Sequence, residues 1–253
     1  YKNITKLGSG TYGTVMSVWD NSTKQIVAIK YHHPDQNGIS ASTLRELSIL
    51  NYFTIHPHHN IIQMMSYVQT SANRIFHVMP RMDTSVAALQ QKFDYDMPRH
   101  LVVQIMIDVC EAIHHMHRHG YVHRDVKQHN VLFDFSNQTT KLCDFGTARY
   151  IGYNTGRLIT PYFGTMRYVC IEMLLSCHYG YKADVWSLGV MFCELFKGCP
   201  IHDDTFKGYP RIRDDLQESK GGKGTPTNIG TLLTIFQLWG TPTVLEWPEW
   251  PGM

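Results

Sequence analysis

The run His123-Arg124-Asp125-Val126-Lys127-Gln128-His129-Asn130 brings a carboxylate, an ammonium and a carboxamide close together, and Asp144-Phe145-Gly146 follows, with Asp144 fourteen positions beyond Asn130. At that spacing Asp125 can accept a hydroxyl proton, Asn130 and Asp144 can hold magnesium on a triphosphate, and Lys127 can neutralise a phosphoryl group in transit. Upstream, Gly8-Ser9-Gly10-Thr11-Tyr12-Gly13-Thr14-Val15 spaces its glycines so that backbone N–H groups can close over phosphates. A dinucleotide-binding loop would run on into a helix. Here Val15-Met16-Ser17-Val18-Trp19, a turn and Val27-Ala28-Ile29-Lys30 follow, which reads as a β-hairpin cover. Lys30 sits on an apolar strand and needs a counter-charge if buried. Glu46, on the helix that comes next, is the obvious one.

The elements that must hold these groups change in class along the chain. Up to about Arg81 the pattern is strand-rich, with Ile26–Lys30 and Arg74–Met79 bounded by Asp20-Asn21-Ser22 and Ser71-Ala72-Asn73. One helix interrupts it, opening near Ser40-Ala41-Ser42 and running through Leu44, Leu47, Ile49 and Leu50. After Thr84, Leu101, Ile105, Val109, Ala112, Ile113 and Met116 recur at helical steps and predict a long helix ending at Gly120. Residues 206–228 have the composition of a surface insertion. Their Gly221-Gly222-Lys223-Gly224 is no Walker loop, because Gly224 stands where a hydroxyl must meet the metal.

With 253 residues and 23 basic against 21 acidic side chains, the chain can bury a core and carries no charge block suited to nucleic acid. Its six cysteines show no paired spacing, as expected of reduced intracellular thiols. No apolar run is long enough for a membrane span. His56, His58 and His59, and His114, His115, His117 and His119, form two clusters in sequence, neither in a metalloprotease order.

Together these motifs make the chain resemble the eukaryotic protein kinases over nearly its whole length. Lys127 after Asp125 is similar to the serine/threonine branch. The resemblance implies an α+β bilobal fold, with a small β-rich lobe over residues 1–81 and a larger helical one over residues 82–253, shortened at its C-terminal end. It implies ATP and Mg2+ as cofactors and protein hydroxyls as substrate, in the cytoplasm or nucleus. Asp125, Lys127, Lys30, Glu46 and Thr165 would serve catalysis. Leu7, Gly8, Ser9, Gly10, Thr11, Tyr12, Gly13, Val15, Ala28 and Lys30 would line the nucleotide, with Met79 as gatekeeper, Pro80 and Met82 at the hinge, and Leu132 beneath the ring. Pro80 lacks an N–H, so Met82 should carry that adenine bond. Asp184 would brace the catalytic loop, a role compatible with capping its helix.

Leu238-Trp239-Gly240-Thr241-Pro242 with Trp247-Pro248 is similar to the signature of the cyclin-dependent and mitogen-activated group. Gly38–Glu46 resembles a cyclin-contacting helix, although Thr43-Leu44-Arg45-Glu46 is equally similar to what mitogen-activated kinases carry, and Thr11-Tyr12 resembles an inhibitory phosphorylation pair. Thr160-Pro161-Tyr162 resembles a T-x-Y activation motif. The resemblance implies that Thr160, and with it Tyr162, is phosphorylated by an upstream kinase or alongside a cyclin-like activator, with Arg45, Arg124 and Arg149 collecting the phosphate. Two departures stand out. Arg167-Tyr168-Val169-Cys170-Ile171-Glu172 lacks the Arg and Pro of the group's W-Y-R-A-P-E, and Gly164 occupies the strained place, which leaves proline-directed selectivity open. Glu172 also has no arginine after Trp239 to pair with. The competing reading is a pseudokinase, an ATP-binding or partner-binding scaffold.

Overall fold

The computed structural model describes residues 2–10, 13–34, 38–70, 74–152 and 165–199, with residues 235, 236, 240 and 243. Its first part is a five-stranded antiparallel sheet of β1 (Lys2–Gly10), β2 (Gly13–Asp20), β3 (Gln25–His32), β4 (Ser66–Gln69) and β5 (Ile75–Pro80), in the order β1-β2-β3-β5-β4. Gly10 pairs with Gly13, so the glycine motif is the tip of a hairpin and not the start of a helix. A Cβ on Gly13 would lie 2.4 Å from the Tyr31 carbonyl oxygen, so only glycine lets β2 approach β3 this closely.

Helix α1 (Ala41–Ile55) crosses between β3 and β4. Ser40 caps it, its hydroxyl accepting the Thr43 N–H at 3.1 Å. Its buried face is Thr43, Glu46, Ile49, Leu50 and Phe53, at three- and four-residue steps. The stripe therefore starts at Thr43, and Leu44, which the sequence pattern places in the apolar ladder, is 55% exposed.

The remainder is mainly helical. Strand β6 (Thr84–Ser85) leads into α2 (Val86–Lys92) and α3 (Arg99–Arg118), followed by β7 (Tyr121–Val122), β8 (Val131–Asp134), β9 (Thr139–Leu142), β10 (Arg149–Tyr150), α4 (Ile171–Leu174) and α5 (Lys182–Lys197). Helix α3 buries Val102, Ile105, Val109, Ala112, Ile113 and Met116, the expected periodicity. Gly120 has φ +80° just past its end, and a Cβ there would meet the Tyr150 ring at 2.7 Å. Strands β6, β8 and β9 form one small sheet and β7 with β10 another, setting the segments around Asp125 and Asp144 on short, rigid ribbons. One apolar cluster runs from Leu50 and Phe53 of α1 through Ile61, Phe145 and Ile105 to Met191 and Leu195 of α5. The two lobes thus share a core across the cleft. Among the described residues no helix is long and apolar enough to cross a membrane. The segment 206–228 and most of the Leu238–Pro248 signature lie outside the described residues.

Candidate active site

Strand β3 is buried on both faces, Val27 and Ile29 packing with Val18 and Val78 on one, while Ala28 and Lys30 lie on the other, which turns Lys30 toward α1. Its Nζ donates to Glu46 Oε1 at 2.6 Å and Oε2 at 2.8 Å, and to Asp144 Oδ1 at 2.9 Å. Burial disfavours the ammonium, but the two carboxylates outweigh it and hold the Lys30 pKa above the ordinary lysine range. Burial also works against the Asp144 carboxylate, and the charge and hydrogen bond of Lys30 more than offset it, keeping that pKa low. Asp144 has φ +67° and Arg124 has φ +72°, left-handed conformations that L-residues seldom adopt. They flank the site on both sides.

Asp125 lies between β7 and β8 and collects its neighbours tightly. Lys127 Nζ donates to Asp125 Oδ2 at 2.6 Å and to Thr165 Oγ1 at 2.7 Å. Asn130 gives its amide nitrogen to the Asp125 carbonyl at 2.8 Å and to Oδ2 at 2.9 Å. The Thr165 hydroxyl approaches Oδ1 at 3.3 Å. Beneath them Asp184, fully buried on α5, accepts the backbone N–H of His123 and of Arg124, each at 2.8 Å, and stands 2.8 Å from His117 Nε2. Tyr181 takes the N-cap position of α5, so Asp184 is a brace for this loop and not the helix cap that its sequence place also allows.

Above the loop, Ala28, Met79 and Met82 are buried in the shared core, with Val15 and Leu132 packed against it. Ala28 pairs with Met79 and Val27 with Pro80 across β3 and β5, so the residues expected around an adenine do meet. Leu7 is exposed, and the Ser9 and Thr14 hydroxyls lie 3.0 Å apart across the hairpin. A Cβ on Gly8 or Gly10 would meet nothing within 4 Å, so the backbone there has open space on that side, as a phosphate cradle requires. A charged Lys30 next to Asp144, with Asn130 below, is a donor set that fits a magnesium-bound triphosphate. Burial pushes the Cys143 thiol well above the usual range, which disfavours the thiolate form. Thr11 and Tyr12 lie outside the described residues.

Residues 1–222 match the family described as protein kinase domain. The chain belongs to the protein kinase family. It is 31% identical over 258 residues to cyclin-dependent kinase B2-1 of Arabidopsis thaliana, an alignment covering 98% of this chain and 75% of that protein. To cyclin-dependent kinase B2-2 of the same plant it is 32% identical over 259 residues, covering 98% and 74%. These similarities place the kinase in the cyclin-dependent group and on the serine/threonine side.

Away from the transfer centre, three arginines of the kinase converge. Arg45 Nη1 donates to the Gly146 carbonyl at 2.7 Å, and the Arg124 guanidinium lies 5.7 Å from the centre of the Tyr179 ring. Burial, with the charges of Arg45 and Arg124 beside it, lowers the Arg149 pKa to about 10. Thr160, Tyr162 and Gly164 lie outside the described residues. In the divergent stretch after them, the Tyr168 hydroxyl donates to Glu194 Oε2 at 2.6 Å, and Val169 is buried. Among the described residues Glu172 forms no ion pair.

Two histidine features escaped the sequence reading. His56, His58, His59, His115 and His119 form one ring cluster, with neighbouring centroids 4.5–5.2 Å apart, joining the end of α1 to the end of α3. Only the fold brings the two runs together. His117 belongs instead to Asp184, and among the described residues no group of three side chains could hold a metal ion. Behind Glu46, His32 on β3 and His77 on β5 are buried, with His32 Nε2 2.9 Å from His77 Nδ1. The signal was available in Lys30 and His32, which share a strand face by their two-residue spacing.

Burial and the charge of Lys30 lower the pKa of His32 to about 4 and that of His77 to about 3. Both lie below the ordinary histidine value, so between pH 6.5 and 4 the unfolded chain binds more protons than the folded one. The contribution of these two rings to stability is therefore complete above pH 6.5 and is lost as the pH drops toward 4. The melting temperature should decline by several degrees across that window. A thermal-melting series that stays flat from pH 6.5 to 4.5 would contradict these neutral buried rings.

Proposed function

We propose that this kinase transfers the γ-phosphoryl group of Mg-ATP to serine or threonine hydroxyls of a protein substrate. The reading rests chiefly on the convergence of Asp125, Lys127 and Thr165 on one point of the cleft. Asp125 takes the hydroxyl proton as the acceptor oxygen attacks, and Lys127 offsets the negative charge of the group in flight. Thr165 holds Lys127 and Asp125 in register. Asn130 and Asp144 would hold the metal, which would screen the charge of the phosphates when bound. Lys30, steadied by Glu46, would orient the inner phosphates, and Val15, Ala28, Met79, Met82 and Leu132 would enclose the adenine. The small lobe would span residues 1–81 and the larger one residues 82–253. The test is radiolabelled ATP with a peptide library, wild type beside Asp125→Asn. Transfer by the wild type alone supports the reading and reports the residue preferred after the acceptor. Nucleotide binding without transfer above the mutant would establish the scaffold alternative instead.

Phosphorylation at Thr160, joined by Tyr162, would activate the enzyme by neutralising Arg45, Arg124 and Arg149. A phosphate adds about −1.5 to −2 charge and forms charge-assisted bonds with guanidinium groups. An upstream kinase would supply it, and a cyclin-like activator would dock on the α1 side. Thr160→Ala is expected to lower transfer at least about ten-fold relative to the phosphorylated wild type. Equal rates for the two proteins in the same peptide assay would remove Thr160 from the scheme.

A further inference from the structure

Lys30 lies directly opposite His77 across β3 and β5, and His32 is two residues beyond Lys30, so all three share the sheet face turned toward α1. His32 is 3% exposed and His77 1%. His32 Nε2 and His77 Nδ1 are 2.9 Å apart, which requires one ring to donate and the other to accept. The far nitrogen of His32, Nδ1, has no hydrogen-bond partner among the described residues and lies 3.9 Å from Glu46 Oε2. If His32 donated through Nε2, a bare lone pair on Nδ1 would face a carboxylate, two acceptors opposed in a buried place. If His77 donates, the His32 proton sits on Nδ1 and its N–H dipole points at the carboxylate. Only the second arrangement is attractive.

We propose that His32 and His77 are positioning residues, a neutral imidazole relay in which His77 Nδ1–H donates to His32 Nε2 and His32 Nδ1–H steers the Glu46 carboxylate. An ammonium attracts a carboxylate from any direction and does not set its rotation. An N–H at the side of the carboxylate does. At 3.9 Å the contact is a dipole interaction and not yet a hydrogen bond. It becomes the nearest compensation for Glu46 once Lys30 is drawn toward a phosphate. The proposal rests on the nucleotide reading given above for Lys30, and it predicts that the relay is felt in nucleotide affinity more than in turnover.

Two measurements decide it. Long-range ¹⁵N–¹H spectra of the imidazoles at pH 7 should show both rings neutral and protonated at Nδ1. A His32 protonated at Nε2 overturns the relay. In the second, His32→Leu/His77→Leu removes both polar partners together and leaves no orphan, so it should fold. Its KM for ATP should rise about ten-fold with little change in kcat. His32→Asn/His77→Leu keeps an N–H at the Nδ1 position and should return KM to within about two-fold of wild type. Wild-type KM in the double leucine variant, or equal KM values in the two variants, would reduce the pair to packing. Should the wild type show no transfer above Asp125→Asn, the proposed function fails, and the imidazole spectra still decide the relay by themselves.

Discussion

Asp125→Asn is expected to slow phosphoryl transfer by about 10²–10⁴-fold, the usual worth of a positioned general base, while ATP affinity changes by less than about three-fold. The substitution keeps the size of the side chain and most of its packing. It removes the proposed proton acceptor and, in one orientation, turns an NH2 toward the Lys127 ammonium that now sits 2.6 Å from Oδ2. The nucleotide contacts proposed above, on β1 to β3 and at Met79, Met82 and Leu132, do not include Asp125, so binding and chemistry should separate. Single-turnover measurement with radiolabelled ATP, beside equilibrium binding of a fluorescent nucleotide, gives both quantities. Transfer within ten-fold of wild type would mean that another group takes the proton.

The second large effect is on stability. Asp184→Ala should cost about 3–5 kcal/mol, because it strips two buried backbone N–H groups of their acceptor at once, each worth about 1–3 kcal/mol when left unsatisfied. Those N–H groups belong to His123 and Arg124, and the Arg124 backbone is held at φ +72°. Nothing else among the described residues replaces that carboxylate. A drop in melting temperature of about 10 °C follows for a domain of this size. Transfer should fall with it, since Asp125 is the next residue along. Asp184→Asn, which keeps one acceptor oxygen, should lie between. An alanine variant melting within about 2 °C of wild type would show that the loop supports itself.

That the candidate site residues come together was legible because phosphoryl transfer constrains residue type and spacing together. Asp125, Lys127, Asn130 and Asp144 lie on short segments whose ends are pinned by β7, β8 and β9, so sequence distance translates into geometry. The Lys30–Glu46 pair was legible for a related reason, a lone cation on an apolar strand followed by one acid on a helix. The face of α1 was only half legible. Leucines suggested the stripe, whereas Thr43 and Glu46 are buried and Leu44 is exposed, since a polar side chain with a partner can take a buried place. The histidine contacts were beyond reach, because His56 meets His119 through the packing of α1 against α3. Imidazoles are ambiguous in sequence, equally at home on a surface, in a core or at a site.

The histidine cluster also bears on how α1 can move. It ties the C-terminal end of that helix to α3, with the Tyr52 hydroxyl 2.9 Å from His119 Nδ1, while the N-terminal end carries Glu46 and the Ser40 cap. A rigid rod tied at one end behaves as a lever. Glu46 lies ten residues from His56, about 15 Å along the axis at the helical rise per residue. A swing of about 10° about the histidine end would carry its carboxylate some 2.5 Å, by roughly the length of its bonds to Lys30. A ligand that touched only the Ser40 end would have the longest arm on this pivot, and the least force to apply.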